Sequence, residues 1–211
     1  AVAAAAAVVA VAVDRAHTSD AAGGHVGPTG TASTAPPTPT GTPTQTTEAP
    51  TTPPTTAYTP PPVPDGYHLA KQANRGYSVP VPDGWRKKVT DDGDQVSYVD
   101  PTGKVGLKIS ALDYGSADPY QHWVDLEPAT RSQVSDYHRE RMEPTQTPDG
   151  QPAALWQFTF QGTSTTFRAI DLGFGKEGGR EYAVYLSAPK NQWTKYRKVF
   201  DTAVAGFHET G

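Results

Sequence analysis

The chain has 211 residues, a formal net charge of −4, 21 prolines and no cysteine, so no disulfide can hold it together. From Asp65 onward 17 Lys/Arg face 19 Asp/Glu, which leaves no basic excess of the kind that marks nucleic-acid binding. All four tryptophans and all six phenylalanines stand at or after Trp85, so one core in the last two thirds is expected. A domain of that size buries nearly 70% of its unfolded surface and needs no staple.

Ala1 to Val13 is an uninterrupted Ala/Val run that Asp14-Arg15 ends abruptly. A spanning helix needs about 20 apolar residues, so thirteen are too few alone. The first residue is not Met, and a longer parent is the expectation. One reading makes the run the outer end of a transmembrane helix. Another makes it the apolar region of a signal peptide, with Ala10-Val11-Ala12 resembling a cleavage site. A third is an ordinary buried helix. The first two place everything after Asp14 outside the cytoplasm.

Residues 14–64 read as a stalk. From Gly27 to Pro64, 26 of 38 residues are Thr or Pro, and Leu, Ile, Phe and Trp are absent. Such a segment has nothing to bury against the entropy of ordering, so disorder is expected. Its prolines favour extended polyproline II, reaching on the order of 100 Å at about 3.1 Å per residue. O-glycosylation suits such a stalk; a PxxP ligand is conceivable but nonspecific in so Pro-rich a stretch.

Residues 65–208 read as strands, helix, strands, helix. Gly66 to Lys71 and Gly76 to Val81 open as a pair of strands, followed by a Pro82-Asp83-Gly84 turn. Gln95 to Asp100 alternates, and Val105, Leu107, Ile109 and Ala111 line one face of a strand to Leu112. Asp118-Pro119 is a helix start, an N-cap acid with Pro at the first helical position. That helix carries Trp123 and Leu126, and Pro128 is expected to end or kink it. A short strand is expected around Tyr137 to Met142. Ala154 to Phe160 follows with Trp156, Phe158 and Phe160 on one face, and then Thr165 to Phe174 and Glu181 to Ser187 form a hairpin. Asn191 to Phe207 sets Trp193, Tyr196, Phe200, Ala203, Val204 and Phe207 on one helical stripe. The fold class expected is α+β, an antiparallel sheet flanked by two helices.

A family resemblance rests on these residues. Gly76-Tyr-Ser-Val-Pro-Val-Pro-Asp-Gly-Trp85, Asp118-Pro119 leading to Trp123, Trp156-Gln-Phe-Thr-Phe160, and Tyr182-Ala-Val-Tyr185 with Pro189 and Trp193 carry it. Together they resemble the extracytoplasmic C-terminal domains of actinobacterial receptor-type serine/threonine protein kinases and related secreted lipoproteins. The resemblance covers about Gly66 to Phe207. It implies a PsbP-like α/β/α sandwich and a layout of kinase, membrane helix, Thr/Pro linker and outer domain. It carries over no functional residue, because the shared motifs are strand and turn signatures.

Motifs of chemistry fare poorly. Gly173-Phe-Gly175-Lys-Glu-Gly178 is a literal GxGxxG, but a strand follows it where a dinucleotide site needs a helix. A kinase glycine loop does join two strands, yet no Ala-x-Lys stands at Ala183-Val-Tyr185, and no His-Arg-Asp or Asp-Phe-Gly occurs. A hairpin turn is the expectation. Asp91-Asp92-Gly93-Asp94 lacks the closing Glu of an EF-hand, since position twelve is Thr102, and reads as a polar turn. None of the six histidines makes a metal-ligand pair, and His122 is expected on the exposed side of its helix. No Gly-x-Ser-x-Gly elbow occurs.

The candidate ligand or partner surface comprises Trp85, Arg86, Lys87 and Lys88, with Arg139 and Arg141 alternating along a later strand. A solvated edge is the plain reading. An anion-facing patch touching wall polymer or anionic lipid is the functional one. The four tryptophans are expected as core anchors, or one of them as the lining of a cleft between helix and sheet. The sequence therefore predicts a non-catalytic extracytoplasmic sensor domain, membrane-anchored or secreted, with no cofactor. Its partners would be the membrane, through the apolar run, and a cell-wall, lipid or protein ligand, not nucleic acid. The alternative is a secreted or lipid-anchored adaptor or chaperone-like protein that binds another envelope protein.

Overall fold

Alternation of apolar and polar residues dominates the chain after Tyr67, and it closes into antiparallel ladders. The computed structural model describes residues 58–89, 94–113, 115, 116 and 118–210. The Ala/Val run, the stalk up to residue 57 and Asp91–Gly93 lie outside the described residues. Among the described residues no helix is long and apolar enough to cross a membrane.

The first layer is a small sheet of β1 (Tyr67–Gln72), β2 (Tyr77–Pro82) and β10 (His208–Glu209), with β2 in the middle. The second is a seven-stranded antiparallel sheet. It comprises β3 (Arg86–Val89), β4 (Gln95–Val99), β5 (Gly106–Leu112), β6 (Ser135–Gln146), β7 (Pro152–Gln161), β8 (Thr166–Gly175) and β9 (Glu181–Pro189). Its order is β3-β4-β5-β9-β8-β7-β6. Two helices complete the fold, α1 (Pro119–Gln133) and α2 (Trp193–Ala205).

The central strands β5, β7, β8 and β9 are buried on both faces, so the sheet needs a cover on both sides. On one face Leu107, Ile109, Ile170, Leu172, Val184 and Leu186 pack with Val79 and Val81 of β2 and with Val199, Phe200 and Ala203 of α2. On the other, Trp156, Phe158, Phe160, Phe167 and Ala169 pack with Trp123 and Leu126 of α1. The result is an α/β/α sandwich with the small sheet set beside α2.

Asp118 caps α1 as its sequence position requires, accepting from the amides of Tyr120 and Gln121 at 3.0 Å each. Pro128 does not end that helix, which runs on to Gln133. The missing amide costs one backbone bond, but Leu126 and Thr130 on either side are buried, and their packing holds the turn together. The strand expected around Tyr137 to Met142 is twelve residues long, because β7 pairs with it almost end to end. Arg86 to Val89 is also a strand, β3, at the far edge of the sheet. The last helix stops at Ala205, and Phe207 reaches the core from beyond it, its ring 5.1 Å from both Phe174 and Tyr182.

Candidate functional site

Seven strands at about 4.8 Å spacing span roughly 29 Å, whereas one helix with its side chains is about 10 Å across. On its face the small sheet and α2 must share the covering, and α2 packs over β9 and β2. The β6–β7–β8 end of that face is roofed only at the margin of α2, and a groove opens there. It has two lobes that share Thr147, Pro148, Leu172 and Val204. The lobe nearer β10 holds about 350 Å³ over Phe174 and Phe207, with Lys176, Asp149 and Glu209 at its sides. The other holds about 390 Å³ over Leu155 and Phe200, flanked by Arg141, Glu143, Arg197 and Asp201. Both volumes lie in the range of small-molecule sites.

The β6–β7 turn overhangs the junction and is held from several sides. The Thr147 amide donates to the Gln151 carbonyl at 3.0 Å, and the Gly150 amide to the Thr147 carbonyl at 2.9 Å. The Gln151 amide donates to the Thr147 hydroxyl at 2.9 Å, and that hydroxyl donates to Asp149. Gln151 Nε2 donates to both Asp149 (2.8 Å) and Glu209 (2.9 Å), tying the turn to β10. Burial pushes the Asp149 carboxyl up, but the hydrogen bonds from Thr147 and Gln151 outweigh it and hold Asp149 below its ordinary value. The end of the stalk arrives at this lobe too, where the Tyr58 hydroxyl donates to the Ala205 carbonyl at 2.6 Å. Arg197 pairs with Asp201 at 2.8 Å and Arg141 with Glu143, so the walls carry both signs over an apolar floor.

The predicted surface residues do not converge. Arg86, Lys87 and Lys88 form β3 and Arg139 and Arg141 lie on β6, and these are the two opposite edges of the seven-stranded sheet. Edge strands expose unpaired backbone groups, and charges, bulges and Pro are what blunt them. β3 is four residues long and basic, while β6 has two register irregularities and Pro144. Arg139 is paired with Glu127 at 3.0 Å. Trp85 is half-buried beside Tyr196 of α2, ring centroids 6.4 Å apart. Of the six, Arg141 alone lines the groove. Phe200, Val204 and Phe207 stood in the sequence only as a helical stripe, and nothing there singled out Leu155, Leu172 or the Thr147–Gln151 turn.

The opposite face holds a second polar cluster. His122 is not on the exposed side of α1. Its side chain is 10% exposed and its Nδ1 lies 2.6 Å from Glu181 Oε1, because the start of α1 comes within side-chain reach of the first residue of β9. Glu181 Oε2 accepts from the Ser116 amide at 2.9 Å. Four residues further along β9, Tyr185 has Lys108 and Asp171 as its cross-strand neighbours, all three buried, with the Lys108 ammonium 4.9 Å from the centre of the Tyr185 ring. Burial pushes the Tyr185 hydroxyl up, and burial together with Glu181 lifts the Asp171 carboxyl to about 8 against the pull of Lys108 and of the hydrogen bond from the Leu172 amide. A site sealed in this way offers no direct approach to a substrate. Among the described residues no group of three or more His, Cys, Asp or Glu could hold a metal ion.

The GxGxxG stretch is a hairpin, as its sequence context predicts. Gly173 and Gly175 end β8, Gly178 takes φ +71° in the turn, and β9 follows. Gly173 is required by packing: a Cβ there would lie 2.5 Å from the Trp123 ring, so its absence lets α1 rest on the sheet.

The model of the serine/threonine kinase C-terminal domain matches residues 69–209, well over half of the chain. The chain belongs to the serine/threonine kinase C-terminal domain family. Its fold is PsbP-like, as in the solution structure of cyanobacterial PsbP (CyanoP) from Synechocystis. That structure superposes with a TM-score of 0.54 at 16% identity over 68% of this chain and 92% of CyanoP. Fainter likenesses reach the Ran-binding protein Mog1p of Saccharomyces cerevisiae and LpqN, involved in cell envelope biogenesis, of Mycobacterium tuberculosis. Mog1p has a TM-score of 0.49 and 11% identity over 68% of this chain and 95% of its own. LpqN has a TM-score of 0.42 and 13% identity over 71% and 82%. No curated protein matches by sequence. At 16% identity CyanoP speaks for the fold alone. The kinase C-terminal domain family is consistent with a domain that performs no chemistry of its own.

Proposed function

We propose that this kinase C-terminal domain is the extracytoplasmic sensor of a membrane-anchored serine/threonine kinase, and that the groove beside α2 receives its ligand. The observation that carries the reading is the groove itself: two lobes on an apolar floor, walls of both signs, and a hydrogen-bonded turn at the junction. The Ala/Val run and the Thr/Pro stalk support an outward location. A preformed, stiff site loses little entropy on binding, which suits a sensor. Mixed charge over apolar floor favours an amphiphilic ligand bearing both signs, such as a short peptide of the cell wall, over a uniformly charged polymer.

A ligand signals inward only if it binds the two states of the parent differently, for instance by favouring proximity of two kinases. Leu155→Arg fills and charges the second lobe. In the parent kinase, wall-peptide fragments should raise or lower autophosphorylation of the unsubstituted protein and leave the Leu155→Arg protein unmoved. Equal responses in both proteins would sink the groove as the sensing site. A stoichiometric envelope protein captured through the groove, with no response to peptides or lipids, would support the adaptor role instead.

A further inference from the structure

On the sheet face opposite the groove, Lys108 of β5, Tyr185 of β9, Asp171 of β8 and Trp156 of β7 stand in register across four adjacent strands. Asp171 is 4% exposed, and its Oδ1 has no hydrogen-bond partner among the described residues. Helix α1 lies on this layer. The Trp123 ring rests on Gly173, two residues from Asp171 on the same face, and donates Nε1 to the Ala154 carbonyl at 3.0 Å. One residue earlier, His122 reaches Glu181. A carboxylate with an orphan oxygen in a packed aromatic layer is costly, and the neutral acid is much less so.

We propose that Asp171 is a proton-operated latch for α1: as the neutral acid it lets the helix seat on the sheet, and its ionisation loosens that seat. The groups facing Asp171 set the balance. Lys108 from β5 favours the carboxylate, and so does the Leu172 amide, which hydrogen-bonds the carboxyl. Glu181 from β9 favours the acid, and His122 of α1 lies beyond it; Tyr185 stays a neutral phenol, and β7 offers only the Trp156 ring. Burial and Glu181 outweigh Lys108 and the Leu172 amide, so the proton stays on Asp171 up to about 8. An unfolded Asp loses it near 3.9. Folding therefore takes up a proton between these values, and stability falls as pH rises from about 4 to about 8, then levels. Asp100 and Asp149, held below their ordinary values, act the other way only in stronger acid. The latch stands independently of what the groove binds.

The test uses the full chain and Asp171→Asn, which keeps the shape, removes the titration and leaves His122 in place. The unsubstituted chain should unfold about 3 °C or more higher at about pH 5.5 than at about pH 8.5. After correction for intrinsic rates, its α1 amides should exchange about tenfold faster, relative to β9, at the higher pH. Asp171→Asn should lose both differences. The Asp171 carboxyl, followed by carbon NMR in the unsubstituted chain, should titrate with a midpoint above about pH 6, and this readout decides the matter if the variant does not fold. A midpoint below about pH 5, or the same pH profile in the unsubstituted and Asp171→Asn chains alike, overturns the latch.

Discussion

Asp100 shows how much one side chain can organise. Its Oδ1 accepts from the amides of Lys104 (2.9 Å) and Val105 (3.0 Å), and its Oδ2 from the Thr102 hydroxyl (2.7 Å). Burial pushes this carboxyl up, yet the Val105, Thr102 and Lys104 donors win and hold it below its ordinary value. The β4–β5 turn is thus stabilised by the charged form. A depressed carboxylate contributes fully above its unfolded value near 3.9, and that contribution is lost as pH falls through the lower folded value. Asp100→Asn should cost about 1–2 kcal/mol at neutral pH. The gap between the two proteins' urea midpoints should narrow below about pH 4. An equal gap at all pH values would mean that the hydrogen bonds matter without the charge.

At the scale of elements, α1 depends on a glycine from another strand. Gly173→Ala would drive a methyl into the Trp123 ring, so α1 must lift or Trp123 must leave its rotamer. A loss of about 1–3 kcal/mol in unfolding free energy is expected, with altered tryptophan fluorescence. Full stability with an unchanged spectrum would show the contact to be slack. Most elements were legible before any coordinates, since period-two alternation and Asp118-Pro119 are local signals. What was not legible depends on partners distant in sequence. Pro128 is tolerated because Leu126 and Thr130 are packed by the sheet, β6 is long because β7 pairs along it, and His122 is covered because Glu181 waits on β9. The basic residues of β3 and β6 read as one candidate surface until strand order set them on opposite edges.

At the scale of the molecule, the groove follows from a mismatch of widths, one helix and a small sheet over seven strands. Leu155, Leu172 and Phe174 carry no mark that separates a groove floor from a core; only the strand order shows that α2 stops short of them. For the same reason the sequence resemblance reached the kinase C-terminal domain family but named no site. Ligand binding in this groove is tested most directly by amide NMR of the full chain titrated with soluble cell-wall peptides. Chemical-shift changes should be confined to the groove lining: Arg141–Gln151, Leu155, Leu172 and Arg197–Phe207. Changes clustered on β3 instead, or none with wall peptides, lipid micelles or envelope proteins in turn, would contradict groove binding.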